Sequence, residues 1–261
     1  MKKVLFICFM FLFAFYSKAK TVDTDKTILR VLTFNILHGA TMKGDFNLDL
    51  IADVILRTEA DLVALQEVDF KTNRAKKYDL VLELAKLTGM VPLFGRAMFY
   101  DDGEYGEAIL SKKTIINSRN VKLPHLNGYE PRTALEITIA ASNEDTISFI
   151  GTHLDHVEND TNRIIQAKKI NSVFEKKQYP TILAGDLNDV PGSRTINIFE
   201  KVWTLTCSNN PSATYPSENP NIKIDYVMVL DKERWNIIET KVIQDSLASD
   251  HCAYLAVLEL K

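Results

Sequence analysis

Residues 181–188 read TILAGDLN, an apolar run that meets a glycine and continues into an aspartate and an asparagine. Apolar and β-branched residues bounded by a turn signal are typical of a buried strand. Asp186 and Asn188 therefore stand at the end of that strand, where apolar residues would be easier to bury. On its own this pattern is weak, because Gly-Asp-x-Asn is also a common turn.

The same pattern recurs at five other places, each with an apolar run that meets a carboxylate, an amide or an imidazole. The polar residues are Asn35, Gln66 with Glu67, His153 with Asp155 and His156, Asp225, and Asp250 with His251. Strand ends in an α/β architecture converge on one crevice, so six such ends predict one polar site. Oxygens of Asp, Glu and Asn suit a hard cation such as Mg²⁺ or Ca²⁺, and imidazoles suit the stabilisation of a charged transition state.

Strand-like and helical patterns alternate in both halves of the chain, with a strand-rich stretch between them. The predicted strands are 28–36, 61–66, 92–98, 107–111, 115–123, 132–139, 146–151, 181–184, 224–229, 235–243 and 253–258. The predicted helices are 48–57, 78–87, 162–176 and 193–200, with Gly89 ending the second. This order predicts an α/β sandwich with mixed sheets rather than a purely parallel doubly wound sheet.

The first nineteen residues have the pattern of a secretory signal peptide. Two lysines precede an apolar run at residues 4–16, and Ser17-Lys18-Ala19 has the small-x-small form of a cleavage site. The run is shorter than the roughly twenty residues of a membrane span, although an uncleaved anchor is the alternative. We therefore expect cleavage near Ala19, export to the periplasm or medium, and no stable membrane span afterwards. Residues 20–261 show no linker, charge block or repeat, which predicts one catalytic domain.

Cleavage would make the chain more acidic. Residues 1–19 hold three lysines and no acid, so 31 Lys and Arg against 34 Asp and Glu become 28 against 34, a formal charge of −6. Proteins that grip long duplex DNA usually carry a basic face. We therefore favour a small phosphorylated substrate or a phospholipid headgroup as the partner, with nucleic acid as the alternative, and nothing implies a protein partner.

Six motifs stand in the order and spacing of one known family. They are TFN at 33–35, LQEV at 65–68, THL at 152–154, GDLN at 185–188, IDYV at 224–227 and SDH at 249–251. Over residues 28–260 the chain thereby resembles the endonuclease/exonuclease/phosphatase family. The resemblance implies a four-layer sandwich, with two mixed β-sheets face to face and helices on both outer sides. It also implies metal-dependent hydrolysis of a phosphodiester or phosphomonoester, and a sequence-nonspecific secreted nuclease is the alternative.

The resemblance implies a metal site. Glu67 would be the principal ligand of one Mg²⁺-type cation, with Asn35 and Asp250 nearby, and Mn²⁺ and Ca²⁺ are the alternatives. Some family members carry a second acid two residues after the first asparagine. Leu37 stands there in this chain, so we expect one metal in the resting enzyme.

The resemblance also implies catalytic roles around the phosphate. Asp186 would orient or deprotonate the attacking water, and Asn188 would hold the phosphate or that water. His251 would face the phosphoryl oxygens, and a paired Asp225 would raise its proton affinity. His153 would add a second positive or donor contact.

Five further residues are candidates for substrate contact, in motifs similar to those of a bacterial subgroup. Arg132 would clamp a phosphate bidentately or orient carboxylates, the alternative being a surface arginine at a strand start. Asn73 and Arg74 lie in the loop after Glu67, and loops over a rigid scaffold often contact substrate. Asp155 and His156 would extend the crevice.

Two other functions compete with hydrolysis by this family. HLDH at 153–156 is similar to part of a two-zinc hydrolase motif, but Gly151 stands where another histidine is needed, and the chain has five histidines. A catalytically silent, ligand-binding member of the fold is the second alternative. Such proteins usually lose the water-orienting aspartate or the last histidine, and Asp186 and His251 are both present.

Overall fold

A computed structural model describes residues 26–142, 144–207 and 211–261, so the predicted signal peptide, residues 1–19, lies outside the described residues. The elements are β1 Ile28–Asn35, α1 Leu48–Arg57, β2 Leu62–Phe70, α2 Leu80–Thr88, β3 Val91–Tyr100, β4 Gly103–Ser111, β5 Thr114–Lys122, β6 Thr133–Ala140, β7 Thr146–His153, α3 Thr161–Phe174, β8 Thr181–Asp186, α4 Arg194–Phe199, β9 Trp203–Leu205, β10 Asp225–Leu230, β11 Trp235–Ile243 and β12 Ala253–Leu260. Short 3₁₀ turns occupy Leu37–Gly39 and Lys232–Arg234.

The strands form two sheets of six. The first has the order β11-β12-β1-β2-β4-β3 and the second the order β5-β6-β7-β8-β10-β9. β1 pairs with β2 in parallel and β7 with β8 in parallel, whereas the other named pairs are antiparallel. The prediction of two mixed sheets is therefore confirmed.

Alternation along the strands builds the four layers. In β1, Leu29 and Val31 pack between the two sheets, while Leu32 and Phe34 face α1 and α2. The outer face of the second sheet packs against α3 and α4 in the same way. Because successive strand residues point to opposite faces, an apolar residue at every position makes a strand that is buried on both sides.

Local sequence signals explain the first two helices. In α1 the buried positions Ile51, Val54 and Ile55 recur at helical spacing, and the Asn47 side chain accepts from the Asp49 N–H at 3.0 Å. In α2 the N-cap is Asp79, and the predicted end at Gly89 is confirmed by its left-handed φ of 71°.

The structure corrects two predicted strand ends. β2 does not end at Gln66; its register with β4 jumps from Leu65–Ala108 to Val68–Gly106, so a bulge at residues 66–67 lets the strand run on to Phe70. Asp225 begins its strand rather than ending one, because β10 runs antiparallel to β8. β9 escaped prediction because three residues are too short to show a period. None of the helices in the described ranges is long and apolar enough to cross a membrane.

Candidate active site

A pocket of about 450 Å³ lies where β1, β7 and β8 end, beside the bulge of β2, and where the antiparallel strands β4, β6, β10 and β12 begin. Ten of the predicted site residues line it: Asn35, Glu67, Arg74, Arg132, His153, His156, Asp186, Asn188, Asp250 and His251. The β-bulge explains Glu67, since its φ of 58° turns the side chain relative to its strand neighbours. Gly185 lets β8 lie close to β7, because a Cβ at this position would lie 2.1 Å from the Thr152 carbonyl oxygen of β7. Asp186 follows directly and is paired with His153 at the end of β7.

His251 and two carboxylates form a buried cluster at the base of the pocket. Its Nδ1 lies 3.1 Å from Asp225 Oδ2, and its Nε2 lies 3.7 Å from Asp186 Oδ2. Burial lowers the pKa of His251, but the charges of Asp225 and Asp186 outweigh burial and raise that pKa above its usual value. His251 is therefore held as a cation at neutral pH.

Asp186 is almost completely buried and accepts two hydrogen bonds. The Asn188 N–H donates to Oδ1 at 2.9 Å, and Asn35 Nδ2 donates to Oδ2 at 3.2 Å. Burial and the charge of Asp225 raise the pKa of Asp186, against the opposing effect of His251. A carboxyl group whose pKa is raised toward neutrality is suited to take a proton from water.

His153 is neutral in this structure. Burial and the charge of Arg132 lower the pKa of His153 well below its usual value. Arg132 Nη1 donates to His153 Nδ1 at 3.0 Å. Asn188 Nδ2, which also donates to the Leu154 carbonyl at 3.1 Å, lies 2.9 Å from His153 Nε2, so both ring nitrogens face donors. His153 Nε2 also lies 3.5 Å from Asp186 Oδ2. The two expectations for His153 were a positive charge or a donor, and the lowered pKa of His153 argues against the positive charge.

The donor set around Glu67 fits a hard cation. Burial opposes ionisation of Glu67, but His38, whose Nδ1 lies 3.5 Å from Glu67 Oε2, and the hydrogen bond from Asn35 help to outweigh burial and lower the pKa of Glu67 to about 2. Burial and the charge of Glu67 raise the pKa of Asp250, which lines the same pocket. Two carboxylates that repel each other across an open pocket are ligands that Mg²⁺ prefers. Glu67 and Asp250 are therefore suited to hold a cation.

Asn35 has a different geometry from the one expected of a metal ligand. Its Nδ2 donates to Glu67 Oε1 and to Asp186 Oδ2, each at 3.2 Å, while its Oδ1 accepts from the Leu37 N–H. The amide nitrogen thus faces the carboxylates, while the oxygen accepts from the Leu37 N–H with one of its two lone pairs. In this arrangement Asn35 links Glu67 to Asp186.

Asp186, Asp225 and His251 also bring potential ligand atoms within 4.8 Å of one another. A histidine must be neutral to bind a metal, and the pKa of His251 is raised. Its Nδ1 is also committed to Asp225. Glu67 and Asp250 are therefore better suited to a cation than this cluster, where the raised pKa of His251 favours a positive charge on the ring.

Arg132 is not the surface arginine that was the alternative, because it is 2% exposed. Besides His153, it donates to the Tyr105 hydroxyl at 3.3 Å and to His156 Nδ1 at 3.3 Å. Its ion pair with Glu130 is 2.9 Å long. Arg132 therefore orders the histidines through Nη1 and Nη2, and its Nε–H has no partner among the described residues.

Asn73 and Asp155 do not line the pocket among the described residues. The Asn73 amide donates to Asp101 and Asp102, each at 3.1 Å. Asp155 accepts from Asn162 of α3 at 2.8 Å. The structure therefore gives both residues a place in loop and helix anchoring, whereas their neighbours Arg74 and His156 do line the pocket.

Sequence reasoning missed Tyr100, Tyr105 and Glu130, which also line the pocket. One signal was available for Tyr105. Ile109 of β4 packs between the sheets, and side chains two residues apart share a face, so Tyr105 had to point to the same side. Tyr100 is the last residue of β3 and borders a turn, where the alternation of a strand no longer predicts the side to which a side chain points.

Comparison with known proteins agrees with this geometry. A model of the Endonuclease/Exonuclease/phosphatase family matches residues 32–251. The Escherichia coli (strain K12) protein named "Uncharacterized protein YbhP" is 24% identical over 226 residues, 79% of this chain and 87% of its own length. An endonuclease/exonuclease/phosphatase structure from Bacteroides vulgatus superposes with a TM-score of 0.74 and 21% identity, over 90% of this chain and 100% of the other. The Bacteroides thetaiotaomicron mannosyl-6-phosphatase Bt3783 superposes with a TM-score of 0.71 and 17% identity, over 88% of this chain and 99% of the other.

Proposed function

This chain belongs to the endonuclease/exonuclease/phosphatase family, and from that premise we propose that it is a Mg²⁺-dependent phosphoesterase that acts on small phosphorylated molecules. The observation that carries the proposal is the convergence of three groups on one pocket. These are the carboxylates Glu67 and Asp250, the buried acid Asp186, and the cationic pair of His251 with Asp225. Hydrolysis of a phosphoester needs charge neutralisation, a positioned water and a donor for phosphoryl oxygens.

A cation bound at Glu67 and Asp250 would neutralise charge on the phosphoryl group. Asn35 donates to both Glu67 and Asp186, so it keeps the metal-binding carboxylate and the proposed base at a fixed separation. A displacement of about 1 Å at a reacting group is enough to slow a reaction by roughly a hundredfold. Asn35 therefore positions the site rather than reacting.

Asp186 would take the proton of the attacking water. The raised pKa of Asp186 favours proton transfer near neutral pH, and the Asn188 N–H fixes the direction of its carboxylate. His251 would donate through Nε2 to a phosphoryl oxygen, because Asp225 occupies Nδ1. Neutral His153, held at Nδ1 by Arg132, would position the Asn188 amide beside the phosphate through the contact at Nε2.

The size and charge of the protein favour a small substrate. The pocket of about 450 Å³ matches a small organic phosphate or a phospholipid headgroup rather than a duplex. The net charge of −6 expected after cleavage opposes association with long nucleic acid. A protein of similar fold is a mannosyl-6-phosphatase, which is compatible with this choice.

A panel of phosphoesters tests the function. We expect turnover of at least one small phosphomonoester or phosphodiester with Mg²⁺, Mn²⁺ or Ca²⁺, and loss of turnover in EDTA. Asp186→Asn serves as the inactive comparison, because it keeps the shape of the side chain and removes the base. Equal turnover by both proteins, or turnover that survives EDTA, would contradict the proposed chemistry. Preferred cleavage of DNA or RNA would instead favour the secreted-nuclease alternative.

A further inference from the structure

Arg74 lines the pocket through a guanidinium group that is held in one position by buried partners. Asp69 is fully buried, and its carboxylate accepts from Arg74 Nε at 2.7 Å and from Nη2 at 2.9 Å. The Thr72 hydroxyl donates to the same carboxylate at 2.6 Å. Within the described part of the chain Arg74 Nη1 makes no hydrogen bond, so Nη1 and the second N–H of Nη2 remain as donors for a ligand.

The guanidinium group of Arg74 also stacks on two aromatic rings. Arg74 Cζ lies 4.6 Å from the ring centroid of Tyr100 and 5.6 Å from that of Tyr105. Stacking of this kind leaves the edge of the guanidinium free to donate hydrogen bonds. Because Arg74 already covers one face of Tyr100, that face is closed to a nucleobase.

The backbone that carries Arg74 is anchored to the turn between β3 and β4. The Arg74 N–H donates to Asp101 Oδ2 at 2.7 Å, and the Asn73 N–H donates to the Asp101 carbonyl at 2.9 Å. At Gly103 a Cβ would lie 2.5 Å from the backbone of Lys71, so the two loops touch there. Side chain and backbone are thus both fixed before any ligand arrives, which favours selective recognition.

The charges in this part of the pocket are balanced. Arg74 is paired with Asp69, and Arg132 is paired with Glu130. A second phosphate would find both cations already neutralised, and an acyl chain would bury polar groups without partners. A neutral group rich in hydroxyls can donate to Glu130 and accept from Arg74, and the pocket volume of about 450 Å³ admits one sugar-sized ring.

We propose that Arg74, stacked on Tyr100, is the subsite for the polyhydroxylated part of the substrate, so that the substrate is a small sugar or cyclitol phosphate. The assignment rests on the proposed phosphoesterase function and adds the group that the leaving part must carry. Sites that hydrogen-bond a substrate hydroxyl discriminate strongly against analogues that lack it. Asp69 is a positioning residue in this scheme, since it acts only through Arg74.

The test compares polyol esters with aryl esters. The polyol esters are mannose 6-phosphate, myo-inositol 1-phosphate and the diester glycerophosphoinositol; the aryl esters are p-nitrophenyl phosphate and its bis-ester. We expect Arg74→Lys to reduce kcat/KM for the best polyol ester at least about tenfold more than for the best aryl ester, the scale of one hydrogen bond to a charged group. The aryl esters carry no hydroxyls for Arg74 to bind.

Arg96→Lys is the matched control. Arg96 lies on β3, the strand that ends at Tyr100. It pairs with Glu104 at 2.5 Å and stacks 4.1 Å from the ring centroid of Phe99, but it is not among the residues that line the pocket. Both ester classes should be hydrolysed by this variant as by the wild type. Tyr100→Leu is a second variant of the subsite, for use if Arg74→Lys does not fold by circular dichroism, and it should shift the same ratio in the same direction.

The outcomes separate the subsite from the function. If the wild type hydrolyses none of the five esters, the proposed function itself fails. If it hydrolyses an aryl ester but no polyol ester, or if the subsite variants reduce both classes equally, the polyol subsite is wrong and the hydrolase assignment stands. A selective loss in the subsite variants that Arg96→Lys does not share supports the proposal.

Discussion

Asp225, the first residue of β10, is paired in register with Asp186, the last residue of β8. Two buried carboxylates therefore stand side by side at one end of an antiparallel strand pair, and His251 contacts both. Asp225 raises the pKa of His251 and also that of Asp186. One carboxylate thus tunes both the proposed acid and the proposed base.

Removal of the Asp225 charge should move the pH dependence of catalysis. In Asp225→Asn the pKa of His251 falls, so the protonated donor is lost at lower pH and the basic limb moves down. The pKa of Asp186 falls as well, so the base is ionised at lower pH and the acidic limb also moves down. Profiles of kcat/KM against pH would show the shift of both limbs, and a basic limb at the wild-type position would mean that Asp225 does not tune His251.

The two reacting side chains should each be essential. We expect His251→Ala and Asp186→Ala each to lower kcat by on the order of a thousandfold or more, the scale for loss of a transition-state donor or a general base. The double variant should cost much less than the product of the two losses, because both act on one transition state. Single-turnover rates measure the effect, and fully multiplicative losses would show independent roles.

Glu67→Gln should strongly weaken metal binding while the fold persists. The substitution removes one charge from the cation site, and even outer partners of metal ligands are worth about 10–100-fold in affinity. We expect Mg²⁺ affinity by titration calorimetry to fall by more than about a hundredfold, since Glu67 is a direct ligand in the proposal. Glu83→Gln on the exposed face of α2 is the control. Unchanged affinity and activity in Glu67→Gln would falsify the assignment.

The position of the site could be predicted from sequence because polar residues interrupt apolar runs at strand ends. Asp186, His153 and His251 lie in the pocket for that reason. The sequence has no comparable signal for the direction of a hydrogen bond. Sequence puts Asn35 beside the metal, but only the contact of its oxygen with the Leu37 N–H shows that its nitrogen faces the carboxylates.

The hydrogen-bond partners of the loop residues account for the rest of what sequence could not show. Asn73 turns to Asp101, which is 28 residues away, and the ion pair that fixes Arg74 joins it to Asp69. Asp155 turns to Asn162 because α3 begins beside it. Proximity to a motif in sequence therefore did not separate pocket-lining residues from anchoring ones.

The proposed export can be checked on the protein from its native host. Mass spectrometry of the mature chain should show an N-terminus at Lys20, because the charged, apolar and small-residue segments occupy residues 1–19. Replacement of Ala19 by a bulky residue should block cleavage and leave a longer chain. A full-length chain in the cytoplasmic fraction of cells with wild-type protein would contradict export.

Glu107 offers a prediction about stability. It lies on β4 opposite the bulge at residues 66–67, is completely buried, and neither of its carboxylate oxygens has a hydrogen-bond partner among the described residues. Burial raises the pKa of Glu107 well above its usual value, against the effect of Arg132. The folded protein therefore keeps Glu107 neutral where the unfolded chain ionises it. Such a group costs stability that grows as pH rises from the unfolded pKa toward the folded one, by at most about 1.4 kcal/mol per pH unit.

Glu107→Gln should remove this cost, because glutamine has the shape of the protonated acid and cannot ionise. We expect the variant to be more stable than the wild type at pH 7 to 8, with a difference that shrinks as the pH is lowered toward about 4.5, the ordinary range of a glutamate. Urea unfolding at several pH values measures it, and Glu239→Gln on the exposed strand β11 should show no such trend. A stability difference that is independent of pH would mean that Glu107 is ionised in the folded protein, with Arg132 outweighing burial.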